Sequence, residues 1–200
     1  MNIRPIILIT TCSYHLHRNE QCRSTWLNEW KWMVDYKFVF GNGHTPSRDD
    51  EIQFPVDDSY NGLPAKIQAS HRWAHDQGYD HILKTDCDMY VHVPRLLDSG
   101  FEKFSYSGNF YYPDFVMGAA YWLDRAATEI LLNAPLPYPG SFGGDDVWVG
   151  RVMSENKVLS KHDARYYIGN DIPWDSFISL HTSGPPKLDM HEIHTKMMKR

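Results

Sequence analysis

Apolar runs of strand length at 6–11, 37–40, 52–56 and 81–84 alternate with stretches of helical periodicity. That alternation predicts βαβ units around a mixed, mostly parallel central sheet flanked by helices, an α/β class. Trp26, Leu27, Trp30, Met33 and Val34 fall at i, i+1, i+4, i+7 and i+8, which predicts a helix with its tryptophans in the core. Gly41-Asn42-Gly43 closes the second run, and 44–51 reads as a loop. A second helix is expected over 64–76, with Pro64 in its first turn and Gly78 as its stop, and a short one after Val93-Pro94. Beyond Gly100 the segments 104–112 and 115–123 are aromatic, β-prone and interrupted by glycine, so pairing there should be mixed or antiparallel. A helix over 124–133 capped by Asp124, an irregular loop over 135–140, a helix opened by Gly143-Gly144-Asp145-Asp146 and running through Met153, and strands at 164–168 and 177–181 complete the reading.

Two hundred residues with no internal repeat, linker or low-complexity segment predict one domain over 1–200. A formal net charge of −5 gives no overall pull toward nucleic acid or anionic lipid. Ile6 to Ile9 is too short for a signal core or a membrane span, so a cytoplasmic protein, or a trimmed catalytic domain, without membrane insertion is expected. Cys12, Cys22 and Cys87 are odd in number and scattered, which fits a reducing compartment.

The segment Leu83-Lys84-Thr85-Asp86-Cys87-Asp88 sets two carboxylates one residue apart at the end of a buried strand. Alternation would send Asp86 and Asp88 to one side, where oxygen ligands suit Mg²⁺ or Mn²⁺; the plainer reading is a pair of turn residues. Asp145-Asp146 at a helix start has an equally plain reading as cap and first-turn acids. Thr10 and Thr11 end the first strand, at the edge where open α/β sheets bind ligands. His15-Leu16-His17 falls in an expected loop. His191 and His194, at i and i+3, lack the i, i+4 spacing of a zinc hydrolase helix.

Seven short elements occur in order: Arg23-Ser24-Thr25-Trp26; Phe38-Val39-Phe40-Gly41; Asp57-Asp58-Ser59-Tyr60 with Leu63 and Lys66; Lys84 through Asp88; Tyr112 with Gly118-Ala119-Ala120-Tyr121; Asp145 through Gly150; and Ile178-Ser179-Leu180-His181. The series, over roughly residues 8 to 190, resembles the β-1,3-galactosyltransferase and Fringe family of inverting glycosyltransferases. That family's elements are Arg-x-Thr-Trp, Phe-x-x-Gly, Asp-x-Tyr-x-Asn-Leu-Thr-x-Lys, Lys-x-Asp-Asp-Asp, Gly-x-x-Tyr, Glu-Asp-Val-x-x-Gly and a late strand ending in His.

The resemblance implies a GT-A fold, Mn²⁺ (or Mg²⁺), a UDP-sugar donor, a glycan or glycoconjugate acceptor, and inversion at the anomeric carbon. It implies a nucleotide-binding half over about 1–100 and an acceptor-binding half over about 101–200. Asp86, Asp88 and His181 look like the metal side, with Asp86 also facing the donor. Without the series, His181 reads as a buried strand histidine. Thr10, Thr11, Arg23, Asp58, Lys66 and Lys84 look like donor-side residues, Arg23 and Lys66 balancing diphosphate charge unless they are ordinary solvated helix residues. Asp146 looks like the general base, Asp145 like a cap or acceptor-orienting neighbour, and Tyr121, Trp122 and Gly144 like residues lining the acceptor or sugar cleft, with at least one of the two aromatics expected in the core. The chain departs from the pattern at Cys87 for the middle aspartate, Gly62-Leu63-Pro64 for Asn-Leu-Thr, and Asp145 for glutamate. Two other readings remain open: a glycosyltransferase acting on a hydroxymethylated DNA base, with Lys187, Lys196, Lys199 and Arg200 as a faint basic tail, and a non-catalytic sugar- or nucleotide-binding module.

Overall fold

The computed structural model describes residues 3–112, 115–138, 144–169, 171–183 and 187–199. Gly143, the tip of the 135–140 loop and Arg200 lie outside them. In chain order the elements are β1 (Pro5–Thr10), α1 (Leu16–Ser24), α2 (Trp26–Trp30), β2 (Asp35–Phe40), β3 (Glu51–Gln53), α3 (Leu63–Asp76), β4 (His81–Asp86), β5 (Met89–Val91) and α4 (Val93–Leu97). They continue with β6 (Tyr106–Tyr112), β7 (Phe115–Asp124), α5 (Arg125–Asn133), α6 (Asp145–Glu155), β8 (Ser160–His162), β9 (Tyr166–Tyr167), β10 (Ser179–His181) and α7 (Met190–Met198).

The main sheet has the order β3-β2-β1-β4-β7-β6-β8, parallel from β3 through β4 and antiparallel from β4 through β6. A small sheet, β5-β10-β9, stands apart from it. Strand β1 is apolar throughout because both faces of the sheet are covered. Ile7 and Ile9 join one core cluster with Trp26, Leu27 and Trp30, while Ile6 and Leu8 join another with Ala74 and Tyr79. The chain passes from β1 outward to β2 and β3, then returns to lay β4 on the other side of β1. Such a reversal opens a crevice at the carboxyl ends of the two strands.

Several elements differ from the sequence expectation. The Trp26 stripe belongs to the five-residue α2, and Met33 and Val34 lie beyond it. Thr25, at φ −117° and ψ −110°, breaks the helix from α1 while its hydroxyl donates to the Gln21 carbonyl at 2.5 Å. His15 ends a 3-10 turn and His17 lies in α1, so that segment is helical. β8 is a polar edge strand with two exposed residues out of three, and it therefore carries no apolar signal.

The sequence puts Tyr121 and Trp122 at a sugar or acceptor cleft with at least one of them in the core; both are fully buried. Their strand β7 is interior, flanked by β4 and β6. Trp122 stacks on Phe101 with centroids 4.1 Å apart and donates to the Tyr166 hydroxyl at 2.7 Å. Tyr121 packs edge-on against Tyr106 in a second core cluster.

Arg23 is likewise a structural residue. Its guanidinium donates to Asp50 through Nε (2.9 Å) and Nη2 (2.8 Å), to Glu51 (2.8 Å) and to Glu20 (2.7 Å). It lies over the Phe38 ring and ties α1 to β2 and β3. Burial alone would raise the Glu51 carboxyl, but the Ser47 N–H, His44 and Arg23 outweigh it and hold it at about 2. A folded-state value below the unfolded one stabilises the fold above about pH 4.5, and that contribution is lost as the pH falls toward 2.

Replacing Arg23 with Met strands two partly buried carboxylates and should cost about 3 kcal/mol at neutral pH in urea denaturation. The difference from wild type should shrink as the pH falls from about 4.5 toward 2, where the variant's Glu51, no longer held down by Arg23, protonates before the wild type's. Gly62 precedes α3 with its Cα against the Asp57 carbonyl, where a Cβ would collide with backbone. Gly62→Ala should therefore lose about 1–3 kcal/mol by the same measurement.

Candidate active site

The crevice at the ends of β1 and β4 holds a cavity of about 280 Å³, lined by Thr10 to Cys12, His15, Arg18, Asp58 to Tyr60, Leu63, Lys66 and Asp86 to Asp88. A larger hollow of about 780 Å³ lies between α5 and α6, but none of these acids reaches it. Convergent chemistry, rather than size, marks the smaller one.

Backbone register brings Asp88 and His181 together. β4 ends at Asp86, and Asp88 occupies the turn leading into β5. β10 pairs antiparallel with β5, His181 opposite Met89, and the Thr182 N–H and hydroxyl donate to the Asp88 carbonyl at 2.9 and 2.7 Å. Asp88 Oδ2 consequently lies 3.4 Å from His181 Nε2 and accepts from the Ser183 hydroxyl at 2.5 Å and Arg18 Nη1 at 3.1 Å. Burial would raise the Asp88 carboxyl; His181, Ser183 and Arg18 outweigh it and bring it to about 2. In return, the bond to Asp88 raises His181.

Asp86 faces another way. Strand alternation puts it on the side of Lys84, whose ammonium donates to Asp86 Oδ1 at 2.8 Å and to the Gly118 carbonyl, and sits 3.3 Å from Asp145 Oδ2. The two aspartates of the 83–88 segment thus border one cavity with different partners, because the strand stops between them. Cys87 points into the core. Burial, Asp145 and Asp88 raise the Asp86 carboxyl against the pull of Lys84. Lys84 itself is 1% exposed; burial would lower it, but the two carboxylates raise it well above an ordinary lysine. It supports Asp86 from behind and does not line the cavity.

Gly144, not Asp145, is the N-cap of α6, and Asp145 is spent on Lys84. Asp146 Oδ2 accepts from the Gly118 N–H at 2.9 Å and Oδ1 from the Val147 N–H at 2.9 Å. Gly118 therefore receives Lys84 on its carbonyl and holds Asp146 with its N–H. Gly144 has φ +141°, and a Cβ there would meet Asp146 Oδ1 at 2.7 Å and the Tyr60 hydroxyl at 2.9 Å. Only glycine lets Tyr60, a cavity-lining residue, come this close to Asp146. Burial and the carboxylates of Asp146 and Asp145 raise the Tyr60 phenol.

On the opposite wall, Asp58 accepts from the Gly41 N–H (2.7 Å), the Ser13 N–H (3.3 Å) and Lys66 (2.5 Å). Lys66, 1% exposed, also donates to the Thr11 carbonyl at 2.9 Å. Its charge is neutralised inside the wall, and the Thr11 hydroxyl is turned to Asn19 at 2.8 Å. Arg18, His15, Tyr60 and Ser183 carried no assigned role in the sequence reading. Arg18 looks like an ordinary helix arginine until the fold brings it against Asp88, 70 residues away. The histidines of α7 have separate partners: His194 meets the Tyr90 hydroxyl at 2.9 Å, and His191 meets Ser24 at 3.4 Å.

Among the described residues, no three His, Cys, Asp or Glu side chains gather as a metal-binding group. Asp88 and His181 form a pair. No described helix is long and apolar enough to cross a membrane.

No protein-family model matches the chain. It is 22% identical over 196 residues to lactosylceramide 1,3-N-acetyl-β-D-glucosaminyltransferase A of Danio rerio, covering 86% of this chain and 42% of that protein. It is 26% identical over 126 residues to UDP-GalNAc:β-1,3-N-acetylgalactosaminyltransferase 2 of Mus musculus, covering 62% of this chain and 25% of that one. The chain thus spans less than half the length of these relatives. Among solved structures, a glycosyltransferase involved in glycosylation of the major capsid of PBCV-1 superposes with a TM-score of 0.60 at 13% identity, over 98% of this chain and 100% of that one. A Drosophila β-1,4-galactosyltransferase 7 mutant, in complex with manganese, UDP-Gal and xylobiose, gives 0.59 at 16% identity, over 94% and 75%. The chain has the GT-A fold, these structural neighbours are glycosyltransferases, and the two curated proteins to which it is similar in sequence are β-1,3-glycosyltransferases.

Proposed function

We propose that this protein is an inverting glycosyltransferase that moves a sugar from a UDP-sugar to a hydroxyl of a glycan or glycoconjugate, assisted by a divalent cation. The observation that carries the reading is the meeting of Asp88, which lines the cavity, with His181, while Tyr60, also on the lining, comes close to Asp146 over Gly144.

The donor set fits the metal. A carboxylate oxygen and an imidazole nitrogen suit Mn²⁺ or Mg²⁺, which complete their shells with substrate phosphates and water. Asp88 and His181 would hold the ion, whose contribution there would be Lewis-acid stabilisation of the negative charge on a departing diphosphate. The manganese and UDP-Gal bound by the Drosophila neighbour are in keeping with this assignment. Asp86, backed by Lys84, faces the donor.

Asp146 is oriented by two backbone N–H groups, one on each oxygen, and each oxygen keeps a lone pair. It takes the proton of the acceptor hydroxyl as that oxygen bonds to the anomeric carbon and the bond to UDP breaks on the opposite face. No covalent sugar intermediate is formed, so the configuration inverts. Gly118 joins the two ends: it receives the lysine behind Asp86 and orients the base.

The protein incubated with UDP-sugars, Mn²⁺ and glycan acceptors should release UDP. Absence of both UDP binding and turnover with every common donor would refute the reading. Asp146→Asn should lower turnover by about 10²- to 10⁴-fold while UDP and Mn²⁺ still bind. Unchanged turnover in that variant would remove Asp146 from the chemistry.

A further inference from the structure

Beside the cavity, one interaction occupies the oxygen that a cation shared by Asp88 and His181 would use. Arg18 Nη1, the Ser183 hydroxyl and His181 Nε2 all converge on the same oxygen of Asp88. A divalent cation between Asp88 and His181 would take up that oxygen and stand next to the guanidinium, where like charges a few ångströms apart repel. Resting on the reading above, we propose that Arg18 competes with the divalent cation for Asp88 and, displaced from it, binds the diphosphate of the donor.

The surroundings leave this task to Arg18. Lys66 is 1% exposed and committed to Asp58 and the Thr11 carbonyl. Lys84 is 1% exposed and committed to Asp86, Asp145 and Gly118. Arg18 lines the cavity, keeps 27% of its side-chain surface exposed, and has Asp88 as its ion-pair partner. It sits in the first turn of α1, whose amino-terminal end opens on the same cavity through His15. That end of a helix favours an anion, and a planar guanidinium matches two phosphate oxygens as an ammonium does not.

The exchange makes Arg18 act with opposite signs on two ligands. Without nucleotide it weakens metal binding, because the cation must displace it; with metal present it strengthens nucleotide binding, because it then holds the phosphates. A residue that merely supports the fold would weaken both when replaced.

The test is titration of the purified chain and Arg18→Met, first with Mn²⁺ alone, followed by the electron paramagnetic resonance of free Mn²⁺, then with UDP at saturating Mn²⁺ by calorimetry. The variant should bind Mn²⁺ about tenfold more tightly and UDP about tenfold more weakly, the scale of one charge-assisted contact. A gain in Mn²⁺ affinity cannot come from unfolding. Arg18→Lys keeps the charge without the planar fork, so its Mn²⁺ affinity should stay near wild type and its UDP affinity should fall between the two. Unchanged or weaker Mn²⁺ binding in Arg18→Met, or unchanged UDP binding, would overturn the inference while wild type still binds both. If wild type binds neither ligand, the transferase reading itself falls.

Discussion

The site depends on a buried ammonium. Lys84 is sealed in the sheet, and an unpaired charge there would be untenable. Its proton is kept by Asp86 on its own strand, the Gly118 carbonyl on β7 and Asp145 at the head of α6. Those contacts join the two halves of the main sheet, parallel on one side and antiparallel on the other, at the level of the cavity. The same charge that holds β4 against β7 fixes the Asp86 carboxylate and the first turn that carries Asp146.

Much of this organisation was legible in the chain. The βαβ alternation, the helix from Leu63 to Asp76 with its Gly78 stop, the Asp124 cap and the late strand ending in His181 follow from local physics, in which period, capping and turn chemistry agree. Asp88 stands out by its spacing from Asp86 as well as by the motif series, His181 by the series alone. They lie on different elements, and only the β5–β10 register brings them together.

What sequence could not convey has a common cause. Tyr121 and Trp122 read as cleft-lining candidates, one of them at least in the core, until β7 proves to be an interior strand that buries both. Arg23 and Lys66 look like free cations, and each is consumed by carboxylates that local sequence does not couple to it. Arg18 has the reverse history: it is unremarkable on its helix and functional in candidate only because α1 passes over the turn that bears Asp88. In each case tertiary partners decide whether a charge is spent or available.

The pairing of β5 with β10 also bears on how the molecule is assembled. The Thr182–Asp88 hydrogen bonds span 94 residues of chain, and the histidine and serine that compensate the Asp88 carboxylate arrive with the later strand. A ribosome that has emitted only the early strands has made an incomplete anion-holding corner, its acid waiting for counterparts still unsynthesised. Completion of this corner is thereby tied to synthesis of β10 and the residues just after it, and a chain cut before them leaves the Asp88 carboxylate with Arg18 alone of its three side-chain partners.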